Sequence, residues 1–457
     1  MSMDTEGFSY ELLDSFGLPR PDGWERIEAP GGMLAVAHPP VPAGTFRPNM
    51  VLRWAPAARA SVARYATAAL ASTLEQFEDV RIVSHDLWES TADGTSVTGR
   101  RQRFVHQVGP HPVCVDRWIW LAGGYALEAT ASYTVDQHIG MKLLFEHMVA
   151  DIRIDGSVPE GGLYSGQQPE LDRIAPQEPR RDEFASRWMG ADVEDLAGIS
   201  GAQPYRESGD VFSIASLELL DTLADRTRLG RFQRKDAAAL ELQSAGLLTA
   251  DGTLTSAGEQ FLTPTRGNDA AFLIEASGAA GGSVMQAWIG GGLAKVTTAP
   301  SLFSASLPSD AELGSDELFV RLTQANAVPK LIADWAGLSP AWSLPHQALI
   351  LPKKHYLDRL EDARTIAPKD LDEAGTRMWE QPWTQWEVLE ERTGAWFGWV
   401  NAGSAGQYRL TPGPGENVRL EPMPSDVVWD VLVRFIHASV EGIPLMLPEL
   451  PDFSTNG

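Results

Sequence analysis

The sequence predicts an α+β protein of two domains. The N-terminal one is an antiparallel sheet with helices on one face, and the C-terminal one is a pseudo-duplicated sheet-and-helix domain. Three observations carry this. The chain has 457 residues, more than one ordinary domain holds. Residues 102–133 alternate with period two through three consecutive segments, whereas residues 60–77 and 135–150 space their apolar side chains as helices do. A pattern in residues 272–310 also recurs. Its first copy holds Phe272-Leu273-Ile274, Met285 to Ile289, Leu302-Phe303 and Leu307-Pro308-Ser309-Asp310. Its second holds Trp386 to Leu389, Trp396 to Val400, Val418 to Leu420 and Met423-Pro424-Ser425-Asp426. In both, strand-like segments joined by Gly-rich turns lead to a helical stretch after Ser-Asp.

Taken in order, residues 8–30 read as a short helix and a loop, from Phe8, Leu12, Leu13 and Phe16 followed by Pro19, Pro21 and Gly23. Met33 to Ala37 and Asn49 to Trp54 read as strands, separated by Pro39, Pro40, Pro42 and Gly44. Val62, Tyr65, Ala66, Ala69, Leu70, Thr73, Leu74 and Phe77 lie on one helical face. In the strand from Gln102 to Val108, Gln102, Phe104 and His106 share one face, and Arg101, Arg103 and Val105 the other. Strands through Val113–Leu121 and Tyr125–Tyr133 follow, joined at Gly123-Gly124, and then a helix carrying Ile139, Leu143, Leu144 and Met148. Ile152 and Ile154 close a domain spanning residues 8–155. Residues 156–209 read as a linker with a short helix at Asp182–Met189, because Pro159, Pro169, Pro176 and Pro179 and four glycines dominate its start.

Residues 210–440 form the second domain. Helices run through Leu217 to Ala224 and Asp236 to Ala245, the latter stopped by Gly246, with a tight turn at Asp251-Gly252 and a helix from Thr255. After the first copy come a helix over Asp316–Trp335, a strand over Ala348–Leu351 and helices near 353–364 and 369–380. The second copy and a helix over Asp426–Ser439 complete the domain, and residues 441–457 are a loose tail with Pro444, Pro448 and Pro451.

The net charge is −24, which repels nucleic acid and anionic membranes on average. No apolar run reaches the ~18 residues of a membrane span. Met1 to Gly7 carries Asp4 and Glu6 and has neither a basic nor an apolar signal segment, so the expected location is cytoplasmic. The one cysteine, Cys114, allows no intramolecular disulfide.

Two resemblances follow from these residues. Phe46-Arg47-Pro48-Asn49-Met50-Val51-Leu52, followed by a helix, a three-strand meander and a last helix, resembles the LpqN-type branch of the PsbP-like fold over about residues 10–155. That resemblance implies a non-catalytic binding or accessory protein; many members are exported lipoproteins, from which this chain departs in lacking a signal or lipid anchor. Ala238 to Thr253, a helix ending in Gly-Leu-Leu with an Asp-Gly turn, and the two copies resemble the EspG family over about 213–440. Members are cytosolic chaperones of type VII (ESX) secretion with two quasi-symmetric halves. The second half here lacks a counterpart of Gly246 to Gly258.

The chemistry is sparse. His106, His111 and Cys114 cluster around one hairpin, but a zinc site would need a fourth ligand from elsewhere, and the bland reading is a turn histidine beside a small buried thiol. No Gly-x-Ser-x-Gly or His-Glu-x-x-His occurs, and Gly278–Gly282 and Gly290–Gly292 read as hairpin turns, since no Lys-Ser/Thr follows them. Of fifteen tryptophans, Trp379, Trp383, Trp386, Trp396 and Trp399 crowd together; a packed core explains them, with one or two rings left for a partner. Arg226, Arg228, Arg231, Arg234 and Lys235 form a basic run in an acidic chain.

The expectation is therefore a non-catalytic binding or chaperone protein that needs no metal or cofactor. It would hold an apolar helical substrate of type VII secretion in the cytosol. The partner-binding residues are expected to be Gly278, Gly281, Leu318, Leu322, Leu331 and Trp335, with Arg228, Arg231, Arg234 and Lys235 as a basic contact. Two alternatives stay open: a DNA-binding regulator built on a winged-helix-like segment at 213–262, and an immunity or structural-assembly protein.

Overall fold

A computed structural model of the chain describes residues 7–29, 33–57, 61–92, 95–154, 179–304, 314–344 and 346–448. The chain is α+β and divides into two compact units: Met1–Gln203 with Ser339–Leu344, and Pro204–Leu338 with Pro345–Gly457.

The first unit comprises β1 (Phe8–Leu13), β2 (Phe16–Pro21), β3 (Glu25–Arg26), β4 (Leu34–Ala37), β5 (Asn49–Pro56), α1 (Val62–Gln76), β6 (Arg81–Ala92), β7 (Thr95–Val108), β8 (His111–Ala122), β9 (Tyr125–Thr134), α2 (His138–Ala150), β10 (Arg153–Ile154), α3 (Glu183–Met189) and α4 (Ala197–Ala202). Seven strands form one antiparallel sheet in the order β3-β4-β5-β9-β8-β7-β6, and β1-β2-β10 form a smaller one. The helices are divided between the faces of the large sheet rather than gathered on one. On the first face, Gln102 Nε2 and Arg117 Nη1 donate to the Ala66 and Ala69 carbonyls of α1 at 2.6 and 3.1 Å. On the other, Phe145 of α2 stacks on Tyr133 and Glu146 pairs with Arg101. Both faces are apolar, Phe104, Val115 and Ile119 on one and Leu127, Ala129 and Ala131 on the other, so each needs a cover.

Residues 8–16, expected as a helix, form the β1–β2 hairpin instead. Asp14 takes a left-handed φ of 52° at its turn, and Leu13 pairs with Phe16. Strand β6 was not expected, because its buried positions include Arg81, Ser84 and His85. The expected linker lies outside the described residues as far as 178. From there on the chain is folded: Glu194 is buried and receives three hydrogen bonds of 3.0–3.1 Å from the Arg100 guanidinium, with His85 Nε2 at 3.3 Å. Ser339–Leu344 supplies Trp342, whose indole N–H donates to the Glu194 carbonyl and whose ring meets His85 edge-on at 5.3 Å. A second buried pair joins Arg103 to Asp116 at 2.7 Å, with Tyr133 donating to the same carboxylate.

The second unit comprises β11 (Asp210–Ser213), α5 (Ile214–Asp221), α6 (Ala237–Ser244), α7 (Ser256–Gly267), β12 (Ala270–Gly278), β13 (Gly281–Gly290), β14 (Leu293–Thr298), β15 (Glu317–Gln324), α8 (Val328–Trp335), β16 (Leu349–Pro352), α9 (Lys353–Glu361), α10 (Glu373–Glu380), β17 (Thr384–Glu390), β18 (Trp396–Asn401), β19 (Gln407–Pro412), β20 (Asn417–Met423) and α11 (Ser425–Glu441). Ten strands form one sheet in the order β11-β15-β14-β13-β12-β17-β18-β19-β20-β16. Read outward from the central antiparallel pair β12–β17, both halves follow one plan: a four-strand meander, then a last strand that precedes the meander in sequence. Each half ends in a helix, α8 or α11.

The third strands of the two copies are β14 and β19, not Leu302-Phe303 and Val418–Leu420; the latter lies in the fourth strand, β20. Of the shared Pro-Ser-Asp, residues 308–310 lie outside the described residues, while Pro424 caps α11. The helix expected over Asp316–Trp335 splits into β15 and α8. Leu318, Val320 and Leu322 alternate with polar or opposite-facing neighbours toward one core, and Pro329 sets the start of the helix.

Candidate functional site

One face of the ten-stranded sheet is covered over its centre. Phe435 of α11 meets Phe272 and Phe397 edge-on at 5.8 and 5.1 Å, Trp386 stacks on Trp399 at 4.4 Å, and α8 packs beside α11. The opposite face is covered at both flanks. Helices α5–α7 enclose a core with Phe212, Leu242, Phe261 and Val320; α9 and α10 enclose another with Tyr356, Met378, Trp383 and Leu420. Between the flanks, no described helix covers the middle of that face.

There the central strands place Leu273 opposite Leu389, Glu275 opposite Glu387 and Ser277 opposite Gln385. A cleft of about 510 Å³ is lined by Glu275, Ser277, Gly282, Val284, Gln385 and Glu387. Val284 is 36% exposed and Trp396 44%. Trp396 borders the same floor: a Cβ built on Gly398 would stand 3.0 Å from its ring and 3.3 Å from Glu387 Cγ. Tyr356 donates to Gln385 Oε1 at 2.5 Å, and the Gln385 amide donates to Glu387, so this side is held in place.

Like charges directly opposite each other destabilise a strand pair, which makes Glu275–Glu387 anomalous as mere architecture. Burial pushes the Glu387 carboxyl up, the Gln385 amide draws it partway back, and Glu275 adds to the rise. The folded state therefore holds this proton at pH values where the unfolded chain has released it, and stability falls as pH rises through that window. Glu387→Gln is expected to melt slightly higher than the parent at pH 7 and to show no gain at pH 4. Thermal melts at the two pH values measure this.

The expected contact residues fall in several places. Gly278 and Gly281 pair across the β12–β13 turn, next to the cleft-lining Gly282. Leu318 and Leu322 pack against the α5–α7 core. Leu331 and Trp335 are buried in α8, where the Trp335 indole donates to the Ala299 carbonyl, so they form no exposed helix face; their apolar character serves the core. Of the crowded tryptophans, Trp379, Trp383, Trp386 and Trp399 are buried and Trp396 is the exposed one. Arg228 pairs with Asp251 at 2.9 Å and Arg234 donates to the Leu229 carbonyl, whereas Arg231 and Lys235 are exposed. Glu275, Val284 and Glu387 were not singled out from the sequence as contact residues, and Trp396 was named only as one of the five crowded tryptophans.

The winged-helix-like segment has α5, α6 and a small turn in which Arg228 bridges Thr253 and Leu248 bridges Leu254. Helix α6 carries Glu241 and no Lys or Arg. Around the other hairpin, Cys114 is buried, the His106 ring packs tilted against Phe77 at 4.1 Å and His111 Nε2 lies 2.8 Å from the Gly44 carbonyl. Among the described residues no group of three or more His, Cys, Asp or Glu is placed to hold a metal, and no helix is long and apolar enough to cross a membrane.

No family model and no curated protein matches this chain. Among solved structures, weak likenesses extend over about a third of it. A protein of unknown function from Pseudomonas aeruginosa is 13% identical, with 33% of this chain and 96% of that one covered at a TM-score of 0.23. LpqN of Mycobacterium tuberculosis, involved in cell envelope biogenesis, is 15% identical, with 31% and 83% covered at 0.25. The cyanobacterial PsbP of Synechocystis is 10% identical, with 32% and 92% covered at 0.25.

Proposed function

We propose that this is a non-catalytic binding protein of the cytosol, a chaperone of type VII secretion that holds the apolar tip of a helical substrate. The observation that carries the reading is the uncovered centre of the second unit's sheet. There Val284 and Trp396 offer apolar anchors beside a polar rim of Ser277, Gln385 and two opposed carboxylates. A groove with hydrophobic anchors and a polar rim suits an amphipathic helix, and Glu275 with Glu387 suits a Lys or Arg near its tip. The two-half plan of the sheet, which the EspG resemblance implies, lends further support. Helix α6 carries no Lys or Arg that could neutralise a phosphate backbone, which disfavours the regulator reading.

The test is recovery of helical secretion substrates on the tagged full chain from a host with the native secretion system, with affinities then measured on purified pairs. Val284→Asp and Trp396→Ala are each expected to weaken binding at least tenfold without lowering the melting temperature. Substrates bound equally well by both variants, or recovery of a toxin or only further copies of the chain, would reject the chaperone.

A further inference from the structure

The loop between α5 and α6 displays Phe232 at 90% exposure, in the middle of the basic run. It is a fixed display. Leu229 is buried, and its N–H donates to the Gly252 carbonyl at 2.8 Å. Gly230 N–H donates to Gln233 Oε1 at 3.2 Å, and a short 3-10 turn over Gln233–Lys235 follows. Arg228 and Arg234 are engaged in holding the loop, by Asp251 and the Leu229 carbonyl. Among the described residues, Arg226, Arg231 and Lys235 have no side-chain ion pair or hydrogen bond, although Asp225 and Asp236 flank the run. An aromatic ring in water on a braced loop costs solubility and contributes nothing to the core, and three uncommitted cations lie within six residues of it in a chain of net charge −24.

We propose that this loop docks an acidic peptide segment of a partner protein, with an apolar side chain of that segment packing on Phe232 and its carboxylates facing Arg226, Arg231 and Lys235. Charge complementarity selects the occupant. A short acidic segment meets only the local positive field, whereas a longer nucleic acid would meet the field of a chain with net charge −24. Phe232 supplies the desolvated anchor, and the cations supply orientation and association rate. This site is separate from the cleft and does not depend on its reading.

The test is selection of a random peptide library displayed on phage against the immobilised full chain, followed by fluorescence anisotropy with the selected peptides and with a dT15 oligonucleotide. Enriched peptides should carry Asp or Glu beside Leu, Phe or Trp. Phe232→Ala should weaken them at least tenfold, and R231E/K235E should weaken them and flatten their salt dependence. The side chains concerned are exposed, so unchanged far-ultraviolet dichroism and melting are expected for both variants. Failure to enrich any peptide, enrichment without acidic bias, affinity indifferent to Phe232→Ala, or tighter binding of dT15 than of the peptides would each overturn the proposal.

Discussion

Asp116→Ala is expected to destabilise the first unit by about 3–5 kcal/mol, enough to unfold a marginal domain. Arg103 and Asp116 are both fully buried, and removing the carboxylate takes the opposite charge away from a guanidinium that cannot reach water. Burial alone would raise the Asp116 carboxyl, but Arg103 and the Tyr133 hydroxyl hold it below its usual value. Its contribution is therefore present above the unfolded carboxyl range and is lost as pH falls through it. The double replacement Arg103→Met with Asp116→Leu should recover most of the loss, because it removes both charges and keeps the volume. Urea titration followed by tryptophan fluorescence reports the change, since Trp118 is buried in the same sheet. A loss below about 1 kcal/mol for the single variant would refute the account.

Glu194→Gln is expected to cost about 3 kcal/mol at pH 7 and less than half of that at pH 3. Burial would raise this carboxyl, yet His85 and Arg100 bring it down to about 2. The folded state thus keeps Glu194 ionised where the unfolded chain binds a proton. Its stabilisation is complete above the ordinary carboxyl range and fades as pH drops toward 2. Unfolding curves of parent and variant at both pH values measure it, and a gap that stays constant with pH would show that the charge is not what matters.

Some of this was legible in the sequence and some was not, for physical reasons. Strands β7, β8 and β9 announced themselves because each alternates cleanly and is bounded by Pro or paired Gly. Helix α1 did so because one face of it is apolar throughout. Phe8, Leu12, Leu13 and Phe16 satisfied helical spacing, yet the left-handed Asp14 folds them into a hairpin, and no periodicity reveals a single backbone dihedral. Strand β6 was hidden because its buried polar residues find partners far along the chain, as His85 does in Glu194.

The cleft was hidden more deeply. The recurrence of the strand–turn–strand copies could be read from the sequence, but that the copies pair through β12 and β17 could not. Only that pairing sets Glu275 against Glu387. Without it, both glutamates read as ordinary solvated residues on strands whose other face is apolar.

The excursion of Ser339–Leu344 into the first unit has a consequence for the order of events during synthesis. An N-terminal domain can ordinarily fold while the ribosome is still translating the next one. Here Trp342, the cap on the Glu194 carbonyl, emerges only after the whole of the second unit's first half has been made. Until then the Arg100–Glu194 cluster has one side unfinished. A gene fragment ending at Gln203 would encode a permanently unfinished version of it, so no single cut in the coding sequence yields the complete first unit.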